Sequence, residues 1–529
     1  MQADPAVRRL PLELLIDIFL ATKALHGPDP AKLDPPPCTN LSHVCRTWRT
    51  AALMCQPLWS SVLRPHLEWT ELCIERCHHL PVEIVINRRT GFDMGGDTYF
   101  TLLSALSRAR SITLDFREDR RDPIDQYESI MTEALNLLAF DGFPMPILED
   151  LQVHLCTFED GSCFVLDKGL VACESTPQRL LSLTVSGCAL GSPLRVLSPV
   201  LHTLILENVI PWDTCDELAQ VLGSLTSLAV FEYTWTQDHF GTTINYAEVW
   251  GSTSARLPHL ERLVLNGYLV EDLCIFSALQ LPPTTDITFA PKTSHGYLLD
   301  ASLPEEEASN EALTLFAVNM ASTLTRHLDA ALQQGMIISY ATVTRNGVEL
   351  CLQEANDDAG QSSSRAGSDV SSVAFDIPPF TTTERQDILY KALIVAGLGR
   401  FELRSISYSG CLSSPEIMKD FRRRAPVLED LTLLSEEDVR AFYICAHVTH
   451  FPKLQILNID CELSAPATTL ENIFKVMRHA AVGIRSRLEL SWTSATGSRD
   501  MSTLSPELRL LLAQSESDLD WADVPIQSA

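Results

Sequence analysis

The chain has 529 residues, 46% of them hydrophobic, which is enough to bury one large core or several smaller ones and excludes a disordered chain. Acids outnumber bases 68 to 40, for a formal net charge of -28, so the surface repels phosphate backbones and anionic lipid, and neither nucleic acid nor membrane is expected as a partner. The 15 cysteines form no regular framework, no run of about twenty apolar residues is present, and Glu13 and Asp17 interrupt the first apolar stretch, so a reducing compartment, cytoplasm or nucleus, is expected, with no secretory leader.

Residues 10–25, LPLELLIDIFLATKAL, predict a helix. Pro11 sits in the first turn, where a missing N–H costs nothing, and Glu13 complements the positive helix start. Leu14, Leu15, Ile18 and Phe19 recur at helical spacing. A Pro/Asp-rich stretch from Gly27 to Pro37 breaks the chain. Thr39 or Asn40 can cap a second helix, in which Leu41, Val44, Cys45 and Trp48 fall at i, i+3, i+4 and i+7. Pro57 ends that run, and Leu58, Trp59 and Val62 follow.

Periodicity alone describes a small helical hairpin. The residue identities say more: Leu-Pro, Glu-Leu-Leu and Ile-Phe, then Val-Cys-Arg-x-Trp-Arg, then Leu-Trp, in that order, resemble the F-box. The resemblance implies a three-helix module that docks on the Skp-type adaptor of an SCF ubiquitin ligase, and through it on cullin, mainly by apolar contacts. Carried onto this sequence, the adaptor-binding residues are Leu10, Pro11, Leu14, Leu15, Ile18, Phe19, Leu41, Val44, Cys45, Trp48, Leu58 and Trp59, some of which must form the module's own core. The connection between the two helices is longer and richer in proline than is usual in the family. Such an extension costs little closure entropy.

Residues 66–86 read as a helix, a Leu-Pro and an alternating strand, an order familiar after the F-box in fungal F-box proteins. A leucine pattern then recurs. Leu148, Leu151, Val153 and Cys156 match Leu-x-x-Leu-x-Leu-x-x-Asn/Cys, as do Leu180, Leu183, Val185 and Cys188, and Leu403, Ile406, Tyr408 and Cys411. Shorter matches begin at Leu201, Leu260, Leu428 and Leu454. Pro146, Pro199, Pro258, Pro426 and Pro452 each lie two residues before a first leucine, which suggests a proline at the strand start. Helices are expected over 216–222, 383–396 (with Gly397 as its cap), 436–444 and 469–477. A further helix is expected over 304–334, a hairpin over 336–352 turning at Asn346-Gly347, a mobile loop over 354–372 and a strand over 373–377.

Strand, turn and helix repeating roughly every 20–40 residues is the signature of a leucine-rich-repeat solenoid. The expected fold is therefore α/β: an F-box module over 1–65, an irregular leucine-rich-repeat-like solenoid over 66–505, and an acidic tail over 506–529. The bland alternative is an ordinary α/β domain with leucine-rich parallel strands.

No nucleotide-binding glycine loop, nucleophile elbow or His-Glu-x-x-His is present, so a non-catalytic protein without cofactor is expected. Cys73 and Cys77 stand on one helical face beside His78 and His79, yet the cluster lacks Cys-x2-Cys spacing, and buried core thiols are expected in place of a metal site; Cys445, His447 and His450 offer still less. Residues between the repeat leucines point away from the core, which makes Gln152, His154, Ser182, Thr184, Ser405 and Ser407 a candidate substrate-binding surface. The expected function is a substrate-recognition subunit of an SCF-type ligase. The alternatives are an F-box scaffold acting outside the ligase and, more distantly, an enzyme carrying an F-box.

Overall fold

A computed structural model describes residues 10–25 and, with interruptions, 40–459; the longer interruptions are 88–95, 118–134, 136–144, 156–163, 167–177, 236–253, 291–309, 355–370 and 394–402. The stretch 27–37, Thr39, Val62, Cys156, Asn346, Gly397, His447, His450, the helix expected over 469–477, the tail, and all but the ends of the loop expected over 354–372 lie outside the described residues. The chain divides into two compact units. The first runs to Leu260 and takes in Ala278–Gln280; the second comprises Glu261–Ser277 and the chain from Leu281.

The first unit opens with α1 (Leu12–Leu25), α2 (Arg46–Met54), α3 (Gln56–Trp59) and α4 (Leu67–Cys77). The continuous second helix expected from Asn40 is corrected. One helical turn closes where the His43 N–H donates to the Asn40 carbonyl at 3.0 Å, then Cys45 is extended, with φ -160° and ψ 175°. The helix starts afresh at Arg46, because Ser42, His43, Val44 and Cys45 are all weak helix formers. Helix α4 buries Thr70, Cys73 and Cys77 at i, i+3 and i+7 and ends at His78, which is left-handed at φ 45°.

Strand β1 (Val82–Asn87), helix α5 (Gly96–Leu106) and strand β2 (Ala109–Asp115) follow, then β3 (Asp150–His154), β4 (Phe164–Leu166), β5 (Ser182–Ser186), β6 (Cys188–Leu190), β7 (Thr203–Glu207), helix α6 (Cys215–Ser224), β8 (Val230–Thr234) and β9 (Ala255–Arg256). Strands β1, β2, β3, β5, β7 and β8 lie side by side in chain order, each parallel to the next. Two side ribbons accompany them, β4 with β6 and β9 with the later β11 (Leu279–Gln280). In register across the sheet run Ile112, Leu151, Leu183, Leu204 and Phe231, and two positions on Leu114, Val153, Val185, Leu206 and Tyr233. Both rows are buried. Each such side chain contributes about 1.5–3 kcal/mol by leaving water, so the two rows are the main support of this unit.

The recurring prolines hold a different place from the one expected. Pro146, Pro199, Pro258 and Pro452 are exposed turn residues, and in each case the residue before the proline accepts from the first leucine of the unit. Met145 accepts from Leu148 at 3.3 Å, Ser198 from Leu201 at 2.9 Å, Leu257 from Leu260 at 3.4 Å and Phe451 from Leu454 at 3.5 Å. Proline therefore occupies the second position of a β-turn, where its fixed φ is already correct, and the strand begins two or more residues past the leucine.

The second unit contains β10 (Arg262–Asn266), helix α7 (Leu269–Ser277), β12 (Asp286–Phe289), helix α8 (Asn310–Gln333), β13 (Met336–Thr344), β14 (Gly347–Glu354), β15 (Ser371–Asp376), helix α9 (Thr383–Leu393), β16 (Ser405–Ser409), helix α10 (Pro415–Arg424), β17 (Asp430–Leu433), helix α11 (Glu436–Ala446) and β18 (Ile456–Ile459). Its strands lie in the order β10-β12-β15-β14-β13-β16-β17-β18. The expected hairpin is β13 and β14, antiparallel, and β15 extends it, so three strands enter the sheet in reversed order. All other pairs are parallel.

Strands β5 and β16 end on the same tripeptide, Ser-Gly-Cys, with Gly187 at φ 72° and Gly410 at φ 69°. The left-handed glycine turns the chain so that Cys188 and Cys411 drop into the core. The helices α5, α7 and α10 have no counterpart among the expected elements.

Candidate functional site

Helix α1 shows two faces. Leu15 and Phe19 are fully buried, and the Phe19 ring meets Trp48 edge-on at 5.3 Å. Behind them Ala51, Ala52, Cys55, Leu58 and Trp59 complete a small core, with the Trp59 indole N–H donating to the Ala52 carbonyl at 2.9 Å. On the outside lies a second apolar set. Leu14, Ile18, Val44, Leu53 and Met54 are 40–60% exposed, although the core is already closed without them.

The structure thus sorts the twelve residues named from the sequence. Leu15, Phe19, Leu58 and Trp59 are core; Pro11, Leu14, Ile18 and Val44 are exposed; Leu10, Leu41, Cys45 and Trp48 are half-buried. Leu53 and Met54 carry no signal in the sequence, because they follow the Trp48-Arg49 anchor in a stretch of the second helix where no family position marks them.

Residues 7–65 match the F-box-like family. The chain carries an F-box-like domain. F-box domains bind Skp-type adaptors, and proteins built on them are typically non-catalytic subunits of SCF ubiquitin ligases. No curated protein matches the chain.

The F-box-like domain is fastened to α4 and β1, the elements next along the chain. Trp59 packs against Trp69 of α4 at 6.0 Å, and the Arg76 guanidinium lies 4.0 Å above the Trp59 ring. The Glu83 N–H of β1 donates to the Ser60 carbonyl at 2.8 Å, and Leu63 bridges Ile84 in parallel. At the end of α4, Arg108 donates to the Leu80 carbonyl at 2.8 Å and to Cys77 Sγ at 3.1 Å. Cys73 and Cys77 are core thiols, with a guanidinium rather than a ligand set beside the second, and His78 and His79 are exposed. Among the described residues no group of three or more His, Cys, Asp or Glu is placed to hold a metal ion, and no helix is long and apolar enough to cross a membrane.

The six candidate substrate-surface residues divide between the units. Gln152 stands opposite Thr184, both half-buried, with Ser182 in the row before them. His154 and Ser407 are corrected: both are buried, so neither presents its side chain to a partner. His154 Nδ1 lies 3.1 Å from Ser186 Oγ, and the imidazole stands in a row with Asp115 and Glu207. Burial and then the Arg117 charge lower the His154 titration, against the two carboxylates. Burial raises the Asp115 carboxyl, but the two bonds from Arg117, each 2.9 Å, outweigh it and leave the group below its ordinary value. Ser407 Oγ is bonded to the Tyr340 hydroxyl from the neighbouring strand. Alternation correctly puts both residues off the leucine face; it cannot show that a long side chain next door roofs them over. Ser405 stays half-buried opposite Asp430.

Proposed function

We propose that this protein is the substrate-recognition subunit of an SCF-type ubiquitin ligase. The F-box-like domain docks on the Skp-type adaptor, and through it on cullin, while the remainder of the chain, an irregular leucine-rich-repeat-like solenoid, holds a protein substrate. The observation that carries this reading is the coincidence of the family match over 7–65 with the exposed apolar set Leu14, Ile18, Val44, Leu53 and Met54. A few large exposed side chains of this kind can supply the anchor energy of an interface. Support for the solenoid comes from the parallel strands in chain order, the buried leucine rows and the repeated proline turn. Support for the fungal type comes from α4, Leu80-Pro81 and β1 following the F-box in that order.

In this role the receptor makes and breaks no bonds. It holds the substrate near the charged conjugating enzyme and so replaces a bimolecular encounter by a local one. Gln152, Ser182, Thr184 and Ser405 are the remaining candidates for the substrate surface, and the cytoplasm or nucleus is the expected setting. The test is co-purification of the tagged chain from cells with an inhibited proteasome, followed by mass spectrometry. Adaptor and cullin together, with ubiquitinated proteins, are expected. Adaptor without cullin would replace the ligase reading with that of a scaffold.

A further inference from the structure

The long helix α8 carries a line of polar residues on a side that is otherwise apolar. Asn319, Thr323 and His327 follow one another at i, i+4 and i+8, alongside buried Met320, Leu324, Leu328 and Ala331. The helix packs on α7, α9 and β13 within the second unit. His327 is only 5% exposed, and both of its ring nitrogens are buried without a hydrogen-bond partner; the Asn319 side-chain nitrogen is in the same position. Buried polar atoms are almost always satisfied, because an orphan gives up its bonds to water and gains none in return. A valine or leucine at 327 would avoid that cost. The imidazole is therefore an expensive choice for a core position, and its distinguishing property is that it takes up a proton near neutrality.

We propose that His327 is an acid-operated latch: packed and neutral it lets α8 lie on α7, α9 and β13, and on protonation it releases the helix from them. Among the described residues, the ionisable side chains on the packed elements are Asp272 and Cys274 on α7, Tyr390 and Lys391 on α9, Arg326 and Asp329 on α8 itself and Tyr340 on β13, and the Tyr390 hydroxyl donates to the Thr344 carbonyl at 2.7 Å. Asp272 is engaged by the Gly267 N–H at 2.8 Å, Lys391 and Arg326 are exposed, and Tyr340 is bonded to Ser407. None of them acts on the imidazole, whose titration falls to about 4 through burial alone. The packed state thus refuses a proton that the released state accepts from the ordinary value of 6.5 downward. Packing is undisturbed above pH 6.5 and is progressively weakened as the pH falls from there towards 4. Release uncovers Met320, Leu324 and Leu328, an apolar face that is absent at neutral pH.

Hydrogen exchange of the full chain, read by mass spectrometry and corrected for the intrinsic pH dependence of exchange, tests the latch. Peptides covering Asn310–Gln333 should open on the order of fifty-fold more often at pH 4.5 than at pH 7.5. His327→Leu and His327→Gln, neither of which titrates, should remove most of that rise while peptides from β2 to β5 behave as in the parent. Unchanged protection of α8 in the parent between these pH values would overturn the proposal. So would an equal rise in the parent and in whichever of the two variants folds at pH 7.5.

Discussion

Gly187 and Gly410 share a sequence context and a backbone angle but not a neighbourhood. A Cβ on Gly187 would stand 2.1 Å from the Leu155 carbonyl oxygen, whereas nothing lies within 4 Å of one on Gly410. Gly410→Ala carries only the left-handed backbone cost, about 1–2 kcal/mol. Gly187→Ala adds a collision with main chain that cannot rotate away, so its cost should exceed the other by about 2 kcal/mol or more. Urea titration of the two variants checks the difference. Asp438 poses a question of satisfaction rather than space. Fully buried at the start of α11, it accepts from the Gly410, Cys411 and Leu412 N–H groups (the last two at 3.0 and 2.8 Å) and from Ser435 Oγ at 2.5 Å. Asp438→Ala orphans the buried Cys411 and Leu412 N–H groups, while the Gly410 N–H keeps Ser435 Oγ at 3.0 Å, and should cost about 2–4 kcal/mol; Asp438→Asn should cost less because one oxygen remains. Thermal unfolding gives the order. Neither prediction was legible in the sequence: the Ser-Gly-Cys tripeptides show a repeat, but not which glycine faces a carbonyl, nor which of 68 acids reaches back to the preceding turn.

At the scale of the helix, α1 separates exposed from buried leucine by one residue, Leu14 from Leu15. Leu14→Glu with Ile18→Glu alters side chains that the folded module leaves in water, so adaptor capture should be lost while the melting temperature stays within about 2 °C. Phe19→Ala, by contrast, empties a fully buried site beside Trp48 and should cost about 3–5 kcal/mol, losing capture through unfolding. Pull-down and calorimetry on the same preparations distinguish the two routes. Most elements could be read beforehand. The helix of 216–222 is there as α6, with the Thr214 hydroxyl accepting from the Glu217 N–H at 3.2 Å; the hairpin is β13 with β14, and the leucines of all seven repeat matches that fall in the described residues are buried. What escaped has a physical reason. Helix α10, PEIMKDFRRR, has a charge-rich sequence whose fully buried apolar residues are only Ile417 and Phe421, and its Arg424 turns inward to a buried bond with Asp420 at 2.6 Å. The break at Cys45 is a weak-propensity effect within a stretch that keeps helical spacing.

For the molecule as a whole, the net charge of -28 is a self-repulsion that screening relieves. Raising sodium chloride from 20 to 200 mM should lift the unfolding temperature by about 2–5 °C, as followed by differential scanning fluorimetry; a fall would mean that ion pairs such as Arg110–Glu149 and Arg117–Asp115 dominate instead. The division into two compact units left no mark in the sequence, since the leucine pattern runs through both.

The reversed block in the second unit has a consequence for synthesis on the ribosome. Strands β1 to β8 of the main sheet each find their neighbour in the next strand to emerge, so that ladder can zip up as translation proceeds. Strand β12 cannot: its partner β15 lies 86 residues further on, as in the Ser372–Asp286 bond. At 5–20 residues per second, that edge waits about 4–17 s with its peptide groups unpaired. The nascent chain is then most exposed to wrong pairing after Phe289 and before Ser371, and this interval is where a ribosome-bound chaperone would protect it best.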